Sequence, residues 1–71
     1  MKQQFKLEGH PHIALCDLLK LTGIVESGGR AKQVISAGLV QRNGQAETRK
    51  TAKLIAGDCI DFEGQIIDII D

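Results

Sequence analysis

The chain has 71 residues, with nine Lys and Arg balanced by nine Asp and Glu, so its formal charge is zero. That length bounds it to one small domain whose core must be closely packed. Trp and Tyr are absent and only Phe5 and Phe62 are aromatic, which excludes a binder built on rows of base-stacking rings; no apolar run is long enough to span a bilayer.

The opening "MKQQFKLEGHPH" lacks the apolar stretch and cleavage site of a secretory signal, so a cytoplasmic protein is expected. Within it, "QFKLE" alternates weakly and reads as a short strand or an ordered arm. "HPHIALCDLLKLTG" reads as a helix. Leu15, Cys16, Leu18 and Leu19 recur at helical spacing, Pro11 fits the first turn, and Gly23 follows the last apolar residue. The spacing of His10, His12, Cys16 and Cys59 matches no standard zinc pattern, and neither a metal nor any other cofactor is expected. Both cysteines occupy apolar positions and read as buried free thiols.

"SGGRAKQVISAG" is a second helix: Ser27 caps its start, Ala31, Val34 and Ile35 form an apolar stripe, and Gly38 ends it. Two short helices joined by a few residues make a helix-turn-helix-like hairpin. After Gly38 the pattern turns extended. Asn43-Gly44 is a hairpin signal, because a type I′ turn needs positive φ at both central residues. "KLIAGDCIDFEGQIIDII" carries turns at Gly57-Asp58 and Glu63-Gly64, and Ile60 and Phe62 share a strand face. The last strand is apolar on both faces, which predicts cover on both. The predicted fold class is α+β: a two-helix hairpin packed on a small, mainly antiparallel β-sheet.

The zero net charge conceals a polarity. From Lys20 to Lys53 there are seven bases (Lys20, Arg30, Lys32, Arg42, Arg49, Lys50, Lys53) and two acids, a net +5; from Leu54 to Asp71 there are five acids and no base. Such a chain can grip a polyanion locally while staying neutral overall. On the second helix, at about 100° per residue, Arg30 and Lys32 flank the apolar stripe on opposite sides and Gln33 points away from it. Gly28 and Gly29 leave the first backbone N–H groups unshielded, where the helix dipole favours an anion; the same glycines also read as a poorly optimised turn. Arg42 at the hairpin and Arg49, Lys50 and Lys53 beyond it join the patch if the strands fold back on the helices. Such contacts to phosphate give affinity without sequence information. Gln33, Gln41, Asn43 and Gln45 are the amides available for base or sugar edges, or are plain surface residues.

A catalytic reading finds little support. Ser27, Ser36, Cys16 and Cys59 are explained by capping, helix surface or core, and no phosphate loop, metal motif or nucleophile elbow is present. Asp58, Asp61 and Glu63 cluster in turns and a short strand, where a solvated edge accounts for them. The chain reads as a non-enzyme.

The stretch from His12 to Phe62 resembles the S4-type RNA-binding domain. "ALCDLLKLTGIVESGGRAKQVISAGLV" looks like that family's first helix, turn and serine-initiated second helix; "RNG" stands at its hairpin, and "AGDCIDF" at its glycine-aspartate turn and closing strand. "HPHIALCDLLKL" and the single-domain length, 1–71, look most like the small stand-alone bacterial YbcJ-type proteins within it. The resemblance implies the alpha-L motif and a site on the helical pair and adjoining β-turn for structured RNA, ribosomal or transfer. Ser27, Lys32, Gln33, Asn43 and Gly44 fall on the family pattern, whereas Gly28 stands where the family commonly has a base, with Arg30 two positions later. The partner expected is RNA, bound by a monomer away from any membrane. The alternative is a protein-interaction domain whose acidic end docks a basic protein partner or a second copy.

Overall fold

The computed structural model describes residues 2–71. Its elements run β1 (Lys2–Lys6), β2 (Ile13–Ala14), α1 (Leu15–Leu21), α2 (Gly28–Ser36), β3 (Val40–Arg42), β4 (Gln45–Ala46), β5 (Lys53–Leu54), β6 (Cys59–Phe62) and β7 (Gln65–Ile70). Five strands form one sheet in the order β1-β7-β6-β3-β4, and β2 pairs with β5 in a second. Every pairing is antiparallel except that of β1 with β7.

Cross-strand register fixes which face is core. Val40 sits opposite Phe62, Ile60 opposite Ile67, and Phe5 opposite Ile69; directly paired side chains share a face. That face packs against Leu15, Leu18 and Leu19 of α1 and Ala31, Val34 and Ile35 of α2 in one buried cluster. Each fully buried Leu or Ile contributes about 1.5–3 kcal/mol relative to exposure. The opposite face is not covered by a helix. Ile66 and Ile70 remain half-buried there, and Asp68 is held by Lys2 at 3.5 Å. The expectation of cover on both faces of β7 is therefore corrected: β1 and β6 flank the strand edge to edge, and only the Ile67/Ile69 face is roofed.

The start of α1 also differs from expectation. Pro11 and the two histidines lie outside the helix, which begins at Leu15. Ile13 and Ala14 are held extended by antiparallel pairing with Leu54 and Lys53. Ala14 has no side chain to cap the helix, so the Leu15 and Cys16 N–H groups donate to the backbone oxygens of Ala52 and Lys50, each at 3.0 Å. A distant loop thus satisfies the orphan donors of the first turn. α2 begins as read: the Ser27 hydroxyl accepts from the Arg30 N–H at 3.2 Å. Asn43 (φ 53°) and Gly44 (φ 85°) form the tight β3–β4 turn. Both cysteines are free, but half-buried rather than in the core. No described helix is long and apolar enough to cross a membrane.

Candidate nucleic-acid interface

The exposed side of α2 presents Lys32, Gln33 and Ser36, spaced so that they share one flank. The loop between β4 and β5 is drawn against that flank because its backbone caps α1 through Lys50 and Ala52. Between helix and loop lies an open depression of about 560 Å³ lined by Lys32, Gln33, Ser36, Thr48, Arg49, Lys50 and Thr51. Three of those seven residues are cations and none is acidic; the rest carry hydroxyls or an amide. Two segments separated by eleven residues of chain thus place their charges at one concavity.

Arg49 is oriented within it. Its Nε and Nη2 donate to Glu47 Oε2 and Oε1 at 3.2 and 3.3 Å, and its backbone N–H donates to the same Oε2 at 3.3 Å. The hydrogen bond from the Arg49 side chain holds the Glu47 carboxyl below its ordinary value and, reciprocally, raises the guanidinium.

At the neighbouring hairpin, Asp58 organises a buried polar cluster. Its carboxylate accepts from Arg42 Nη2 at 2.8 Å, Asn43 Nδ2 at 3.0 Å and the Ile55 N–H at 2.9 Å. Burial by itself pushes this carboxyl up. The Ile55 N–H, the Asn43 amide and the Arg42 guanidinium together outweigh it, so the net shift is downward. Arg42 Nη2 also donates to the Lys53 carbonyl at 3.1 Å, while Nη1 lies 3.6 Å from Glu47. Asn43 accepts the Cys59 N–H on its side-chain oxygen at 2.8 Å. Asp58 is only 8% exposed, which corrects its reading as part of a solvated edge: the hairpin supplies two donors, Arg42 and Asn43, and the Ile55 N–H a third. Asp61, half-buried, accepts the Gly64 N–H at 3.2 Å, while Glu63 is exposed at the turn.

The expected site residues therefore divide into groups. Lys32, Gln33, Arg49 and Lys50 come together. Arg42 ends β3 and Asn43 is in the turn itself, but their side chains are taken up by contacts within the protein, to Asp58 and the Cys59 N–H. Lys53 is exposed on β5, with its carbonyl taken by Arg42. Lys20 is exposed on α1 and is not among the residues lining the depression. Arg30 lies on the other flank of α2, in a separate depression that also contains Glu26 and Glu63. The single patch anticipated from composition is narrower for that reason: the stripe of Ala31, Val34 and Ile35 stands between Arg30 and Lys32. Ser27 caps α2, and Gly28 and Gly29 open it. At these two glycines φ is not positive, and an added Cβ would meet nothing closer than the Ser27 hydroxyl at 3.9 Å. Neither backbone conformation nor internal packing requires glycine there.

Glu47 and Asp58 are the two residues that organise this region and that the sequence left undistinguished from surface acids. The one local signal is their position: Glu47 directly follows β4, and Asp58 stands between a turn and β6. Burial, and then the neighbouring Asp68, push the Cys59 thiol above its ordinary value. Among the described residues, no three His, Cys, Asp or Glu side chains form a metal-binding group.

Residues 5–70 match the S4 domain family. The chain is 47% identical over 66 residues to YbcJ of Escherichia coli (strain K12), covering 93% of this chain and 94% of that protein. It is 38% identical over 52 residues to the Bacillus subtilis (strain 168) protein named "Probable ribosome maturation protein RlbA", covering 73% of each. The solution structure of E. coli YbcJ, which reveals an alfaL motif involved in RNA-binding, superposes with a TM-score of 0.75 at 46% identity. It covers 96% of this chain and 86% of that one.

Proposed function

This chain belongs to the S4 domain family, and from that premise we propose that it is a non-catalytic module binding structured RNA through the depression between α2 and residues 48–51. The S4 unit is taken as the whole chain, 1–71, with its motif in 12–62. The observation that carries this reading is the convergence of Lys32, Arg49 and Lys50 on one concavity free of carboxylates. Cations so placed meet successive phosphates of a folded backbone, while Gln33 and the hydroxyls of Ser36, Thr48 and Thr51 offer bonds to sugar or base edges. Helix α2 on one side and a loop whose backbone caps α1 on the other set the spacing of these groups. The RNA-binding motif of YbcJ and the ribosome maturation role in the name of RlbA support RNA as the partner and ribosomal RNA as the first target class to test, with transfer RNA second.

Ser27, Gly28 and Gly29 extend the site at the α2 N-terminus, where a phosphate accepts the unshielded N–H groups. Arg42 and Asn43 act from within, by fixing the hairpin, rather than by touching RNA. Lys20, Arg30 and Lys53 add long-range attraction at the margin. The module works in the cytoplasm as a monomer and needs no cofactor.

The test is salt dependence. A ribosomal RNA hairpin and a transfer RNA are titrated with the protein by fluorescence anisotropy across a series of KCl concentrations. Replacing Lys32, Arg49 and Lys50 together by Gln lowers the log–log slope by about 0.7–0.9 for each phosphate no longer neutralised, about 2–3 in total. A slope unchanged by the triple substitution, in a protein with wild-type circular dichroism, overturns the assignment of this face.

A further inference from the structure

Four side chains of alternating charge run from the protein interior to the rim of the depression. Buried Asp58 holds Arg42 Nη2 at 2.8 Å. The other terminal nitrogen of Arg42 lies 3.6 Å from Glu47, whose side chain is 13% exposed. Glu47 in turn grips Arg49, whose side chain is 73% exposed. Glu47 is itself fixed in the backbone, its N–H donating to the Val40 carbonyl at 2.9 Å. Arg49, the outermost of the four, is therefore linked to the buried Asp58 through a continuous series of ion pairs.

Which part of Arg49 is used matters. A guanidinium has two edges able to present paired donors: the side edge of Nε with Nη2, and the end edge of Nη1 with Nη2. Glu47 occupies the side edge, with a third bond to the Arg49 backbone N–H. The end edge keeps two N–H donors in a parallel fork, the arrangement that matches two phosphate oxygens.

We propose that Glu47 is a positioning residue for RNA: it holds the side edge of Arg49 so that the end edge faces the depression ready to take a backbone phosphate. This rests on the RNA-binding reading above. An unrestrained arginine must be immobilised at the moment of binding; one already held by Glu47 loses less freedom, and the affinity gains by that difference. The consequence opposes simple electrostatics. Glu47 is a negative charge beside a polyanion, so removing it ought to tighten binding. If its role is to orient Arg49, removing it weakens binding.

The experiment measures RNA-hairpin affinity and its salt slope for wild type, Glu47→Gln, Arg49→Lys and the double variant, with thermal melts as the check on folding. Gln retains one acceptor oxygen and turns an amide donor toward Arg49. Glu47→Gln is expected to weaken binding about 2- to 10-fold, the range set by freezing one long side chain, with the slope kept because the cation remains. Arg49→Lys, a surface change, is expected to weaken binding similarly at unchanged slope, since lysine carries the charge without the fork. In the Arg49→Lys background, Glu47→Gln is expected to weaken binding less than it does alone, because no fork remains to be oriented; equal weakening in both backgrounds overturns the positioning role. Tighter binding by Glu47→Gln alone, or wild-type affinity of Arg49→Lys, overturns the positioning role and leaves the RNA face standing. If Glu47→Gln fails to fold, Arg49→Lys decides alone. A wild-type protein without salt-dependent RNA affinity overturns both readings together.

Discussion

Replacing Asp58 by Ala tests whether the polar cluster beneath the hairpin holds the β3–β4 turn in place. The carboxylate takes three hydrogen bonds, from Arg42, Asn43 and the Ile55 backbone. After truncation Arg42 keeps the Lys53 carbonyl and Glu47, and Asn43 keeps the Cys59 N–H, so neither side chain is wholly orphaned. The loss is then one charged pair with access to water plus two bonds to a charged acceptor, together about 3 kcal/mol. A domain of this length has a total stability of about 4–10 kcal/mol, so a third or more of it is at stake. At about 4–8 °C per kcal/mol for so small a domain, the melting temperature falls by roughly 12–24 °C. Because the chain has neither Trp nor Tyr, far-UV circular dichroism is the practical assay. The pH dependence supplies a second readout. The Asp58 carboxyl is held below its ordinary value of 3.8 in the folded state, so its stabilisation is fully present above that value and is lost as pH falls through the depressed folded value. Wild type should lose stability steeply below about pH 4, and Asp58→Ala less steeply. A melting temperature within about 4 °C of wild type at pH 7, under 1 kcal/mol, refutes the account of the cluster.

Gly28→Ala and Gly29→Ala should each raise the melting temperature, since alanine is favoured over glycine in a helix by up to about 1 kcal/mol and both sites have room for a Cβ. The same changes should weaken RNA binding if a phosphate approaches those N–H groups; tighter or equal affinity in the anisotropy titration removes them from the site. Lys32→Gln should lower the salt slope by about 0.7–0.9, whereas Arg30→Gln, on the far flank of α2 beside Glu26 and Glu63, should change it less. Equal slopes for the two variants would mean that RNA wraps over the helix rather than seating on one side.

Local sequence rules reach far into this fold because most of its elements are fixed locally. Ser27 capping α2, Ala31, Val34 and Ile35 forming its buried stripe, and Asn43-Gly44 making the turn are decisions taken within a few residues of chain, and all stand in the structure. The start of α1 departs from the local pattern for the opposite reason. Residues 11–14 could prolong a helix on local grounds, but pairing of Ile13 with Leu54 holds the backbone extended, and the cap arrives from Lys50 and Ala52 across the domain. The candidate site follows the same division. The opposition of Arg30 and Lys32 across the stripe is a matter of helical angle and is legible in the sequence. That Lys32 meets Arg49 and Lys50, whereas Arg42 is turned inward, depends on the route of one loop and on an acid 16 positions away.

This bears on the charge polarity of the chain. A basic middle and an acidic end look like two poles, yet folding interleaves them. Three of the five C-terminal acids have internal tasks: Asp58 receives Arg42 and Asn43, Asp61 receives the Gly64 N–H, and Asp68 receives Lys2. Arg42 is thereby removed from the supply of free cations, and Glu47 occupies one edge of Arg49. What reaches the depression is a smaller, better-oriented set than the +5 of the segment implies. Of the three cations lining the depression, Lys32 and Lys50 stand exposed and Arg49 is held by Glu47; attraction by exposed cations is screened by salt. Asp58, from the acidic end, thus withdraws Arg42 from the exposed cations, while Glu47, from within the basic segment itself, holds one edge of Arg49.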